Sequence, residues 1–117
     1  MKTDPKKTAP EIPDFLAKPL TLASLVNYQK HSIVSKQLLN KKAGTLTLFA
    51  FDKGEGLSEH TAPYDATILV IDGKADILID KKSHEVSSGQ MIIMPAHVPH
   101  AVKALTSFKM LLIMIRS

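Results

Sequence analysis

The sequence predicts an all-β domain, a barrel or sandwich, and three observations predict it. Short runs rich in Val, Ile, Leu, Thr and Phe follow one another from Ser32 to Ile115. Turn residues separate these runs at close spacing, Asp72-Gly73 most clearly. No stretch of helical period long enough to serve as a crossover lies between them.

The elements read in order as follows. Residues 1–19 hold four of the 7 prolines (Pro5, Pro10, Pro13, Pro19) among mixed charges. Such a stretch buries too little surface to offset its ordering entropy. It is expected to be a flexible N-terminal arm ahead of a single domain at 20–117. Residues 11–19 have a second reading, an arm that docks along a neighbouring subunit through Ile12, Phe15 and Leu16. Thr21 is expected to cap a short helical turn through Leu22, Leu25 and Val26.

Ser32–Leu39 reads as a strand closed by the polar turn from Asn40 to Gly44. Thr45–Phe51 alternates threonine and leucine before its aromatics, a strong β signal. Asp52–Gly56 is a loop. Ala66–Ile71 and Lys74–Asp80 flank Asp72-Gly73, and an Asp-Gly pair between two β runs predicts a tight hairpin. Ser83–Val86, Gln90–Met94, His100–Ala104 and Phe108–Ile115 complete about eight or nine strands. Met110–Ile115 is apolar on both faces, as in a strand buried on both sides. One of those faces is a candidate homodimer contact.

Composition narrows the function classes. The 117 residues suit one domain, with 44% hydrophobic and 22% charged residues. Without cysteine there is neither a disulfide framework nor a thiolate metal site, so any metal would rest on His, carboxylate or water. The longest apolar run falls well short of a membrane span and no secretory leader is readable, so the expected location is cytoplasmic and no membrane partner is expected. The net charge is +4, carried almost wholly by lysines interspersed with acids, and Arg116 is the one arginine. That arrangement lacks the basic stripe of a nucleic-acid binder.

The spacing of glycine, proline and histidine over residues 54–104 resembles the two motifs of the cupin superfamily. In the first motif, Gly54 is followed by five residues and then His60, and the closing glycine falls on Gly73. In the second, Gly89, Pro95 and His100 stand at the matching intervals. With its flanking strands the resemblance covers residues 33–115. It implies a double-stranded β-helix, or jelly-roll barrel, of the RmlC-like kind.

Departures accompany the matches. Metal-binding cupins take two histidines and a glutamate from the first motif and one histidine from the second. Here Ala62 stands in the second histidine slot and Ala66 in the glutamate slot. His97 occupies the second-motif glycine slot and Ala104 its asparagine slot. The metal ligands the resemblance leaves are His60 and His100, with His97 in the preceding turn as a third. The ion would be a divalent zinc, iron, manganese or nickel.

Tyr64 shares the parity of His60 and is a candidate ligand-binding residue. Asp65 is a second candidate, although regular strand parity points it to the opposite face. Ala62, Ala66, Ile68, Val70 and Val102 should line an apolar cavity, with Met91, Ile93, Met110 and Leu112, or their alternates, on the far wall. His31 and His84 match no motif position and read as surface residues. The sequence thus supports a small-molecule-binding cupin with a reduced histidine–metal site. Its alternatives are a metal-free binding or sensor module, and a structural dimer without a ligand. The resemblance permits isomerase, lyase or dioxygenase chemistry and selects none of them.

Overall fold

In the computed structural model, residues 15–116 are described. Most of the expected arm, including Ile12, lies outside the described residues. Nine strands follow a short 3-10 helix at Leu22–Ser24: β1 (Ile33–Lys41), β2 (Gly44–Phe51), β3 (Gly56–His60), β4 (Asp65–Asp72), β5 (Lys74–Ile79), β6 (Lys82–Ser87), β7 (Met91–Met94), β8 (His100–Ala104) and β9 (Phe108–Ile115). They form a five-stranded sheet in the order β1-β2-β9-β4-β7 and a four-stranded sheet in the order β3-β8-β5-β6. Every pairing is antiparallel. This is the jelly-roll barrel that the resemblance implied.

The strands carry one apolar face each into the space between the sheets. Phe51, Ile68, Val70, Ala75, Ile77, Phe108 and Met110 are at most 1% exposed there. Apart from Ala75, each of these buried side chains contributes about 1.5–3 kcal/mol of transfer free energy. Phe51 and Phe108, cross-strand partners on β2 and β9, stack at one end of this core.

A second, smaller cluster lies on the outer face of the five-stranded sheet. There Val26 packs with Leu48, Ala50 and Leu111. The segment from Leu22 to Tyr28 forms a strap over this face, pinned by polar contacts. The Tyr28 hydroxyl donates to the Asp72 carboxylate. The Lys109 ammonium donates to the Ala23 carbonyl and sits 4.8 Å from the centroid of the Tyr28 ring. Burial, and then the hydrogen bond and charge of Asp72, raise the Tyr28 pKa, so the phenol keeps its proton. The strap accounts for part of the two-faced apolar character of β9. Thr21 makes no side-chain cap; instead the Ser24 hydroxyl donates to the Thr21 carbonyl at 2.8 Å.

Two turns differ from the sequence expectation. Asp72-Gly73 does not close a hairpin, because β4 belongs to one sheet and β5 to the other. Gly73 instead makes the corner between sheets, with φ +75°, and a Cβ there would stand 2.1 Å from the Ser107 carbonyl oxygen. The dipeptide reported the need for positive φ correctly, but not which strands it joins. Tight hairpins instead join β1 to β2, through Lys42 and Ala43, and β5 to β6, through Asp80 and Lys81 at φ +50° and +65°. β3 was not anticipated as a strand, since Gly56–His60 offers Leu57 as its one apolar residue.

Candidate functional site

The site stands on β3 and β8. These strands pair with Leu57 opposite Val102 and His60 opposite His100. Ser58 and Glu59 on β3 therefore stand opposite Ala101 alone on β8, which is a β-bulge. The bulge has a consequence for the side chains. Leu57 faces the barrel interior, and His60, three residues on, would face outward in a regular strand. The extra residue restores its parity, so both Leu57 and His60 line the same cavity as His100.

The imidazoles of His60 and His100 meet edge to face, with centroids 4.4 Å apart and planes at 74°. Their Nε2 atoms are 3.1 Å apart. Each Nδ1 faces a backbone carbonyl two residues earlier: His60 that of Ser58 at 2.8 Å, His100 that of Val98 at 3.2 Å. A carbonyl only accepts, so each Nδ1 carries the proton. Both Nε2 atoms then present lone pairs to each other. Two facing lone pairs at this distance repel unless a cation lies between them, either a proton or a metal ion.

The two rings differ in environment. His100 is 4% exposed, whereas His60 is open to solvent. Burial, and secondarily the charge of His60, push the His100 pKa below the usual imidazole value, with the Val98 carbonyl pulling the other way. His100 is thus the ring kept neutral. Among the described residues, no buried side-chain nitrogen or oxygen lacks a hydrogen-bond partner.

Below the histidines is a cavity of about 60 Å³, lined further by Ala62, Ala66, Ile68 and Val102 and by Met94, Met110, Leu112 and Met114. By volume it corresponds to roughly two waters. The wall is apolar, and the imidazoles are its polar locus. Ala62 and Ala66 lie there, as expected from the motif spacing.

Other expected residues lie elsewhere. Val70 is part of the sealed core and not of the cavity lining. Met91 and Ile93 point outward, 60% and 53% exposed, because Met94 pairs with inward-facing Ala66 and sets the parity of β7. Tyr64 is half-buried in the bend before β4 and is not part of the lining. Asp65 is exposed on the outer face, where its carboxylate accepts the Ala96 N–H at 2.9 Å and holds the turn after β7. His31 and His84 are exposed.

His97 is exposed at φ +66°, and its backbone N–H donates to the Ala62 carbonyl at 2.7 Å. Among the described residues no three His, Asp or Glu side chains come together as a metal-binding group. The two histidines do fit an ion by donor chemistry. Their lone pairs converge, their tautomers are fixed by outer carbonyls as in known metal sites, and 3.1 Å is within the span of two nitrogens about 2.1 Å from a common ion. Sequence reasoning missed Leu57, hidden by the bulge, and the Ser58 and Val98 carbonyls, for which no side-chain signal exists.

Comparison with known proteins gives a consistent picture. The family model of the cupin domain matches residues 47–116. A conserved protein of unknown function from Streptococcus pyogenes is 36% identical, with TM-score 0.82 over 86% of this chain and 89% of that one. A cupin 2 conserved barrel domain protein from Leptotrichia buccalis is 42% identical, with TM-score 0.81 over 83% of this chain and 47% of that one. A cupin superfamily protein from Desulfitobacterium hafniense is 31% identical, with TM-score 0.81 over 86% and 92%. No curated protein matches the chain. No helix among the described residues is long and apolar enough to cross a membrane.

Proposed function

The chain belongs to the cupin family, and on that premise we propose that it binds a small molecule in its barrel, anchored at the mouth by a divalent cation held between His60 and His100. The observation that supports this reading is the pair of Nε2 atoms facing each other at 3.1 Å. A bound divalent ion would supply Lewis acidity toward an oxygen of the guest. The chain's own residues do the rest. The Ser58 and Val98 carbonyls hold the two imidazoles in the ligating tautomer. The apolar wall excludes water from the body of the guest and favours a molecule with one oxygen-bearing end and a hydrocarbon remainder. Ala62 and Ala66 leave the room that larger polar side chains would take.

A second reading rests on the lack of a third ligating side chain. In it the cation is a proton shared between the two Nε2 atoms, and the positive charge of the pair attracts an anionic end of the guest. Metal analysis of tag-free protein separates the two. The metal reading expects near-stoichiometric zinc, iron, manganese or nickel, lost in His60→Ala. Metal at trace level, unchanged by that substitution, would leave the proton reading standing alone. Thermal shift against small carboxylates and phenols, with and without each ion, then tests for a guest, since a binder raises Tm with ligand excess.

A further inference from the structure

Besides the two imidazoles, the barrel mouth holds a second kind of donor, the methionine thioether. Cross-strand register sets Met94 of β7 and Met114 of β9 opposite Ala66 of β4, one on each side. Residues directly opposite each other share a sheet face, so both thioethers enter the barrel where Ala66 does. The strand ends agree. Met94 is the last residue of β7 and Met114 the last but one of β9, while His60 ends β3 and His100 begins β8. All four side chains line the same hollow. Met110 belongs to a deeper row, opposite Val70 and roughly 13 Å farther along β9. Ala66 stands in the slot from which metal-binding cupins offer a glutamate oxygen. Here that oxygen is missing, and a sulfur-bearing side chain stands on either side of its place.

We propose that under reducing conditions this mouth binds a cuprous ion, with the Nε2 atoms of His60 and His100 and the thioether sulfurs of Met94 and Met114 as its donors. The proposal rests on the imidazole pair of the reading above and extends it to a softer, singly charged ion. The side chains lining the hollow supply nitrogen and sulfur but no oxygen, and among the described residues no third His, Asp or Glu joins the pair. Thioether donors select cuprous copper, whereas manganese and magnesium favour oxygen. The imidazole spacing points the same way. At 3.1 Å, the two Nε2 atoms are closer than the roughly 4 Å that nitrogens span on opposite sides of one ion. An ion held by both is therefore bent, with coordination positions left to fill. The donors are neutral and the wall is apolar, and such surroundings penalise a double charge more than a single one. Methionine is unbranched with several rotatable bonds, so its sulfur can turn to an ion without backbone movement.

The cysteine-free sequence makes the test direct, since no thiolate competes for the ion. Cuprous copper alone is titrated anaerobically into the tag-free full chain against bicinchoninate, a chromogenic cuprous chelator. The chain should withdraw a single ion from the chelator. The double variant Met94→Leu/Met114→Leu, nearly volume-conserving, should weaken binding by at least about tenfold. Met91→Leu, on the exposed outer face of β7, should leave the affinity unchanged. X-ray absorption at the copper edge supplies a readout that packing alone does not move. It should show nitrogen and sulfur neighbours in the parent, and nitrogen without sulfur in the double variant. A chain that cannot compete with the chelator overturns the inference. Copper with only nitrogen and oxygen neighbours does so too, as do sulfur neighbours that persist in the double variant. Should that variant not fold, Met94→Leu and Met114→Leu singly decide, each expected to lose part of the sulfur signal. The two proposals fail separately. Binding of zinc, iron, manganese or nickel without cuprous copper keeps the proposed function and sinks this inference. Cuprous copper held through sulfur, with no divalent ion bound, does the reverse.

Discussion

Phe51 and Phe108 stack with ring centroids 4.6 Å apart and planes at 15°, both wholly buried, at the end of the barrel away from His60 and His100. One end of the barrel is therefore closed by aromatic packing and the other carries the polar pair. The aromatic packing and the proposed binding site therefore occupy different ends of the same interior.

That separation makes the first prediction. Phe108→Ala removes one ring of the stack and leaves a cavity, which should cost about 3–5 kcal/mol. Urea unfolding would measure the loss. Because the change lies at the closed end, the metal content of the folded fraction should stay at the parent value. A loss under 1 kcal/mol would mean that the closed end is not where the fold is held.

The second prediction concerns pH in chelator-treated protein. Folding holds the His100 pKa below its unfolded value, so the unfolded chain binds the proton more tightly. Its contribution to stability is complete above about pH 6.5 and drains away as pH falls toward the lower folded value. Tm should therefore decline as pH is lowered from 7 to 5. In His60→Ala the decline should shrink but persist, because burial, the larger cause, is untouched. A flat profile in the parent protein contradicts the assignment of His100 as a neutral buried ring.

Asp52 provides a third. Its carboxylate accepts the His31 N–H at 2.7 Å, the Lys53 N–H at 3.0 Å and the Ser107 hydroxyl at 3.3 Å. The His31 bond leads the lowering of its pKa, opposed by burial. For a depressed carboxylate the sign reverses: stability is present above about pH 4 and lost as pH falls through the folded value. Asp52→Asn should lower Tm at pH 7 and flatten the acid limb below pH 4. Equal Tm losses at pH 7 and pH 3 would sink the idea.

His97 carries the fourth. Its φ of +66° places a non-glycine residue in the left-handed region, at a cost of roughly 1–2 kcal/mol relative to the right-handed one. His97→Gly removes that strain, partly offset by the greater entropy glycine loses on folding. Tm should rise by a few degrees, and metal content should not change. Falling metal content would return His97 to the ligand set.

The meeting of His60 and His100 was legible as motif spacing but not as strand geometry. Parity counted from Leu57 puts His60 on the wrong side, and only the β3 bulge brings it back. Bulges leave no signature in side-chain type here, so β3 itself was not anticipated. The jelly roll was legible because alternation and turn chemistry agree along β2, β4, β5 and β9. The Asp72-Gly73 corner was misread as a hairpin because a positive φ looks the same whether the chain returns to its own sheet or crosses to the other. The outward Met91 and Ile93 were ambiguous for a related reason. A four-residue run of Met and Ile has no polar residue to mark its outer face.

The cavity wall contains Met94, Met110 and Met114, three unbranched thioethers with several rotatable bonds each. Such a wall rearranges at low cost, unlike one built from valine or isoleucine. The resting hollow of about 60 Å³ therefore does not set a ceiling on guest size. Selectivity should reside in the oxygen that meets the imidazoles, while the hydrocarbon end is accommodated loosely. Replacing this trio with β-branched residues would convert a tolerant lining into a discriminating one.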